Sequence, residues 1–168
     1  MNIDPTDAGG QFVDRGSQLV MGDNEDVVKQ KCEHWAKYYA AGTVPIQPSS
    51  FALYCEEVFD KSPLRNKGCV LDVGCGNGRD SLYFAQKAFD TAGCDIVESS
   101  INALRQSHHA ADGKQQAGKP HFFCADFTVL TDKTLEKKIS FIYSRFTLHA
   151  IGKAGASKFL QWASEHIE

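Results

Sequence analysis

Hydrophobic and polar positions divide the chain into stretches of different period. NEDVVKQKCEHWAKYY, residues 24 to 39, opens on a capping residue and acids. It sets Val27, Val28, Lys31, Trp35 and Tyr38 near one helical face. GTVPIQPSS breaks the pattern with two prolines. Ser49 or Ser50 then caps a second helix, FALYCEEVFD, with Phe51, Tyr54, Cys55, Val58 and Phe59 on one side. After KSPLRNKG the period changes. CVLDV is a short buried strand, GRDSLYFAQKA a helix with Leu82, Ala85 and Phe89 spaced for packing, and FDTAGCDI a second strand ending near Asp95. SSINALRQSHHAA is a helix capped by Ser99 or Ser100, followed by the polar connection DGKQQAGKP. HFFCADF and ISFIYSRF are third and fourth strands. GASKFLQWASEHI is a last helix with Phe159, Leu160, Ala163 and Ile167 inward.

Strands alternating with helices predict an α/β fold: a doubly wound, mostly parallel sheet with helices on both faces. Residues 1 to 24 carry no sustained period and read as a flexible leader, 25 to 66 as an N-terminal helical lid, and 67 to 168 as the α/β domain. The pattern stops on a helix after four strands, where a doubly wound sheet usually continues. The expectation is a domain incomplete at its C-terminus, with an edge for a further segment or a second copy to cover.

Composition changes this picture little. The 168 residues are 42% hydrophobic and 23% charged with a formal net charge of −3, as in an ordinary soluble domain without the basic face of a duplex-DNA binder. No apolar run reaches transmembrane length and the N-terminus is no signal peptide, so a cytoplasmic location is expected. Six cysteines occur without a C-x-x-C pair, which removes the usual zinc and thioredoxin spacings. They read as small buried hydrophobes in a reducing compartment, and no metal site is expected.

The chemistry concentrates in VLDVGCGNGRD, residues 70 to 80. Three glycines follow a buried strand and precede a helix. In a doubly wound sheet ligands bind beyond the carboxyl ends of the strands. Gly74, Gly76 and Gly78 let backbone turn tightly and approach a ligand, and the helix start that follows favours an anion. The spacing is G-x-G-x-G, with Arg79 at the third-glycine position of a dinucleotide fingerprint. That opposes a nicotinamide-dependent oxidoreductase without removing it.

The stretch resembles motif I of the class I S-adenosylmethionine-dependent methyltransferases, roughly [VIL]-L-[DE]-[VIL]-G-[CSA]-G-x-G, and VLDVGCGNG fits it at every position. The resemblance extends over about residues 68 to 160. It implies S-adenosylmethionine as cofactor and S-adenosylhomocysteine as product. Asp95 would accept the ribose hydroxyls. Asp126, in CADF, would take the exocyclic amine of adenine with Phe127 beside the ring. Loop N–H groups and Arg79 would hold the donor's carboxylate and Asp72 its ammonium. Cys75, Ile96 and Ser144 complete the expected cofactor contacts, with Tyr38 from the lid. Arg145 to His149, R-x-x-L-H, stands where related chains carry an acid or an Asn-Pro-Pro-Tyr element, and looks more like small-molecule and sugar methyltransferases. His149 is the candidate general base and Arg145 a candidate for orienting an anionic acceptor.

Several residues also have plain readings. Asp80 reads as a favourable first-turn acid, Ser49 and Ser50 as caps, and His108 and His109 as a helix end facing water. Trp35, Tyr38 and Tyr39 read as core or lid packing. The expected activity is methyl transfer to a hydroxyl of a small molecule or sugar, less so to nitrogen or sulfur, with no duplex nucleic acid and no membrane insertion. A non-catalytic S-adenosylmethionine-binding module stays open beside it.

Overall fold

In a computed structural model the structure describes residues 25–110, 117–131, 135 and 137–167. The leader expected over 1 to 24 and most of the polar connection at 112 to 120 lie outside the described residues, as do the side chains of His108 and His109.

Helix α1 spans Glu25–Ala40 and α2 Ser50–Asp60. Strand β1 (Cys69–Val73) leads to α3 (Arg79–Gln86), β2 (Thr91–Asp95) to α4 (Glu98–Ala110), and β3 (Pro120–Cys124) and β4 (Ile139–Ser144) precede α5 (Gly152–His166). The strands form one sheet of order β3-β2-β1-β4. Every neighbouring pair is parallel, with Leu71 opposite Ala92 and Ile142. β1 and β2 are buried along their whole length, with Asp72, Thr91 and Asp95 buried among their apolar residues. The order reverses between β1 and β4, so their carboxyl ends open a crevice at that switch point.

Alternation along β1 sorts the core. Leu71 and Val73 pack with Cys94, Phe123 and α5's Phe159 on one face. Val70 packs with Phe84 and Tyr143 on the other, below α2 and α3. Helices therefore cover both faces, as the strand and helix alternation predicts.

Three helices sit differently from their sequence reading. α2 buries Ala52 and Cys55 and leaves Phe51, Tyr54 and Val58 exposed. Ser49 caps this helix, and its side chain is tied into the interior, which fixes the rotation of α2. α5 buries Phe159 and packs Ala163 against the core as its spacing predicts, but turns Leu160 and Ile167 outward, with Trp162 packing instead. α4 begins at Glu98, so Ser99 and Ser100 lie inside its first turn rather than capping it.

Gly78 is a packing glycine. Its φ is +71°, and a Cβ there would lie 2.7 Å from Leu104 Cδ2 and 3.2 Å from Phe122 Cε1. Gly78→Ala combines a left-handed backbone with a close contact. It is expected to cost about 2 kcal/mol and lower the melting temperature by roughly 5 °C in thermal unfolding followed by circular dichroism.

Candidate functional site

A cavity of about 390 Å³ occupies the switch point. Its floor is the loop after β1, with Gly74, Cys75, Gly76 and Asn77. Its walls are Asp95 and Ile96 after β2, Asp126 to Thr128 after β3, and Arg145 to Thr147 after β4. α1 closes it from above with Val28, Lys31, Trp35, Tyr38 and Tyr39.

The loop is held by its own backbone. Gly74 and Cys75 donate their N–H groups to the Cys94 carbonyl at 2.8 and 3.0 Å, and Gly78 donates to the Cys75 carbonyl at 2.9 Å. Gly76 N–H donates to Asp95 Oδ2 at 2.9 Å. These donors, expected from the sequence to serve a ligand carboxylate, are spent inside the fold. The loop offers a close, side-chain-free surface instead. At Gly76, φ is +58° and the Tyr39 hydroxyl packs against the α-carbon, leaving no room for a Cβ.

Asp95 is buried and bridges two segments, with Oδ1 accepting from Val97 N–H at 2.9 Å. Burial raises its carboxyl above the usual range against the pull of those N–H bonds. Asp72 is 3% exposed and accepts one hydrogen bond, 2.6 Å from Ser81 Oγ. Burial pushes its carboxyl up to about 7, helped by Asp80 and Asp95 and opposed by Ser81 and Arg79. Asp126 caps the short 3₁₀ turn Phe127–Val129, accepting from Thr128 N–H and Oγ1 at 2.9 and 2.8 Å. Phe127 is in the core, edge-on to Phe159 at 5.1 Å.

The raised carboxyl of Asp72 sets the sign of a pH effect. Between about pH 4 and pH 7 the folded chain keeps a proton that the unfolded chain has lost, so stability falls as pH rises through that window. The slope from this group is at most about 1.4 kcal/mol per pH unit. Asp72→Asn is therefore expected to melt progressively later than the parent chain as pH rises from about 5 to about 8, without ligand. Parallel melting curves for the two proteins across that range would contradict this.

Of the sequence-predicted residues, Tyr38, Asp72, Gly74, Cys75, Gly76, Arg79, Asp95, Ile96, Asp126, Phe127 and Arg145 line the cavity. Gly78, Ser144 and His149 do not. Ser144 pairs with Val73 at the end of β4. His149 lies in the 3₁₀ turn Leu148–Ala150, exposed to solvent, edge-on to Phe146 at 6.3 Å. Arg145 sits over the Phe146 ring, 4.3 Å from its centroid.

Sequence reasoning passed over Thr147. Its Oγ1 lies 3.0 Å from the Val73 carbonyl and 3.1 Å from that of Arg145, and its side chain fills the space a Cβ at Gly74 would need. It also undervalued Asp80, which joins Ser49 and Tyr143 in a buried network. Neither has a local signature, because the partners are distant in sequence.

A family model described as a methyltransferase domain matches residues 70–168. The chain belongs to that family. The match begins in β1 and takes in the glycine loop and all three strands that follow it. No curated protein matches this methyltransferase-domain chain. Solved structures do. One is from work on conversion of a disulfide bond into a thioacetal group during echinomycin biosynthesis. It is 21% identical with a TM-score of 0.57, over 73% of this chain and 46% of that one. Another is the glycopeptide N-methyltransferase MtfA complexed with sinefungin, at 14% identity and TM-score 0.56, over 73% and 50%. A third is a SAM-bound amino pentose methyltransferase from Micromonospora echinaspora involved in calicheamicin biosynthesis, at 18% identity and TM-score 0.54, over 81% and 52%. These likenesses establish the Rossmann-like fold. The chain spans about half the length of the solved structures it matches. No helix among the described residues is long and apolar enough to cross a membrane.

Proposed function

We propose that this methyltransferase domain binds S-adenosylmethionine in the cavity and directs its methyl group to a hydroxyl of a small molecule or sugar, leaving S-adenosylhomocysteine. The observation that carries the reading is the gathering of Asp72, Asp95 and Asp126 around the side-chain-free loop in one cavity. The donor is a cation overall, with a sulfonium and an ammonium against one carboxylate, so an acid-lined pocket suits it. A dinucleotide pyrophosphate would meet those same carboxylates as like charges, which disfavours the nicotinamide alternative.

The residues fit the group by their donor and acceptor chemistry. Asp95 spends one acceptor site of each carboxylate oxygen on Gly76 and Val97, and the remaining lone pairs are available to the ribose hydroxyls. Asp72 has one hydroxyl partner, and an ammonium would supply the countercharge that burial denies it. Arg79, already 3.5 Å from Asp80, is the cation proposed for the donor's carboxylate. Asp126 and Phe127 are assigned to adenine, Cys75 and Ile96 to the walls beside it, and Tyr38 and Tyr39 to the cover that excludes water. Bound S-adenosylmethionine supplies an electrophilic methyl on sulfur. The chain's contribution is to hold the acceptor in line with it.

Arg145 with Phe146 at the cavity lip, and His149 beyond them, are assigned to the acceptor side. Arg145→Ala and His149→Ala are expected to leave affinity for S-adenosylhomocysteine within about threefold of the parent. Two of the similar structures are named as an N-methyltransferase and an amino pentose methyltransferase, so amines and sugars belong in the test. The experiment measures S-adenosylhomocysteine release over a panel of sugars, hydroxylated small molecules and amines. At least one hydroxyl acceptor is expected to raise release about tenfold above the rate with water alone. Turnover only with amines would move the reading to nitrogen. Donor binding with no turnover at all would favour the non-catalytic module.

A further inference from the structure

We propose that Cys32 and Cys124 are a pair of thiols that a disulfide oxidant can join, stapling α1 across the mouth of the cavity. Cys32 lies on α1 and Cys124 at the last residue of β3. Their thiols donate to one and the same acceptor, the Ile96 carbonyl, at 3.6 and 3.7 Å. The two sulfurs are thus no further apart than two such hydrogen bonds laid end to end. Disulfide formation requires about 2.05 Å, so the thiols must leave the carbonyl and one segment must shift.

α1 is the segment suited to shift. Val28 is its buried residue among those described, whereas Cys124 is fixed in a sheet strand between Phe123 and Ala125. The pair also stands apart from the other cysteines in access. Cys55, Cys69, Cys75 and Cys94 are buried, while Cys32 and Cys124 are half-buried within reach of a small reagent. Burial raises both thiols, Cys32 with help from Asp95 and Asp126, and Cys124 to about 11 with help from Glu98 and Asp95 against Arg105. Thiols of that kind react slowly, and they are poor leaving groups, so the disulfide they form resists reduction.

The oxidant is a small-molecule disulfide such as oxidised glutathione. One cysteine thiolate attacks it, forming a mixed disulfide and releasing one glutathione thiol. The second cysteine attacks the protein sulfur of that mixed disulfide and releases the other. Two protein thiols are oxidised, one glutathione disulfide is reduced, and the two protons pass to the departing thiols. The result joins α1, which brings Trp35, Tyr38 and Tyr39 to the cavity, to the strand that leads into Asp126 and Phe127. This inference concerns the lid and does not depend on which ligand the cavity takes.

The test is oxidation of the full chain by oxidised glutathione at mildly alkaline pH, followed by non-reducing peptide mass spectrometry. A monomer lighter by two hydrogen masses and a cross-linked peptide pair containing Cys32 and Cys124 are expected. Cys32→Ser and Cys124→Ser should each abolish that pair. Hydrogen exchange of the α1 amides is expected to slow on the order of tenfold in the oxidised chain and to recover after reduction by dithiothreitol. Glutathione adducts without a cross-link, pairing with any other cysteine, or a disulfide between two copies would overturn the assignment. A cross-link that leaves α1 exchange unchanged would overturn the staple.

Discussion

Asp95→Ala is expected to weaken binding of S-adenosylhomocysteine by at least about 100-fold, a loss of roughly 2.7 kcal/mol. Two effects add. The carboxylate proposed to hold the ribose disappears, and the N–H groups of Gly76 and Val97 lose the acceptor that binds the glycine loop to the end of β2. A buried N–H left without a partner costs about 1–3 kcal/mol, so the loop relaxes as the ligand contact is lost. Asp95→Asn separates the two. Its amide oxygen still accepts from one N–H, while its NH₂ faces the other donor, so affinity should fall between the parent and the alanine variant. Isothermal titration reads the affinities, and circular dichroism confirms that each variant is folded. A folded Asp95→Ala that binds within about threefold of the parent would remove Asp95 from the site.

The second large effect is on stability. Asp80 is buried at the start of α3, and its Oδ1 accepts from Ser49 N–H at 2.8 Å. Its Oδ2 accepts from Ser49 Oγ at 2.9 Å and from Tyr143 Oη at 2.8 Å. One carboxylate thus fastens the cap of α2, the first turn of α3 and the end of β4. In Asp80→Ala Ser49 N–H is orphaned, and of the two hydroxyls, 3.1 Å apart, one can turn its proton to the other while the second is left without an acceptor. At about 1–3 kcal/mol for each unsatisfied group the expected cost is about 3–4 kcal/mol. For a chain of this length that lowers the melting temperature by roughly 10 °C. Asp80→Asn, which keeps an acceptor oxygen, should recover part of the loss. A drop of less than about 3 °C for the alanine variant would show that α2 is held by packing alone.

The sheet and the glycine loop were legible because their information is local. CVLDV and TAGCD are mostly apolar stretches of strand length, and three glycines between a strand and a helix read as close backbone. The order of acids after successive strands carried over to the cavity, where Asp72, Asp95 and Asp126 share one lining. What stayed hidden depends on distant partners. α2 has apolar residues around most of its circumference, so periodicity could not say that Ala52 and Cys55 face inward and Phe51 and Tyr54 outward. The deciding contacts are those of Ser49 with Asp80 and Tyr143, formed across the fold. Likewise the spent N–H groups of the loop are visible only once the Cys94 carbonyl is in place beneath Gly74 and Cys75. His149 follows β4 closely in sequence, yet a 3₁₀ turn carries it to solvent.

The central claim is that the cavity above Gly74 to Gly76 takes a nucleoside carrying a methionine-derived tail. Isothermal titration of the full chain with S-adenosylhomocysteine, and separately with oxidised and reduced nicotinamide dinucleotides, tests it most directly. The account predicts one-to-one binding of S-adenosylhomocysteine with Kd below about 100 µM and no heat from the dinucleotides. Saturable binding of a dinucleotide, with none of S-adenosylhomocysteine, would contradict it.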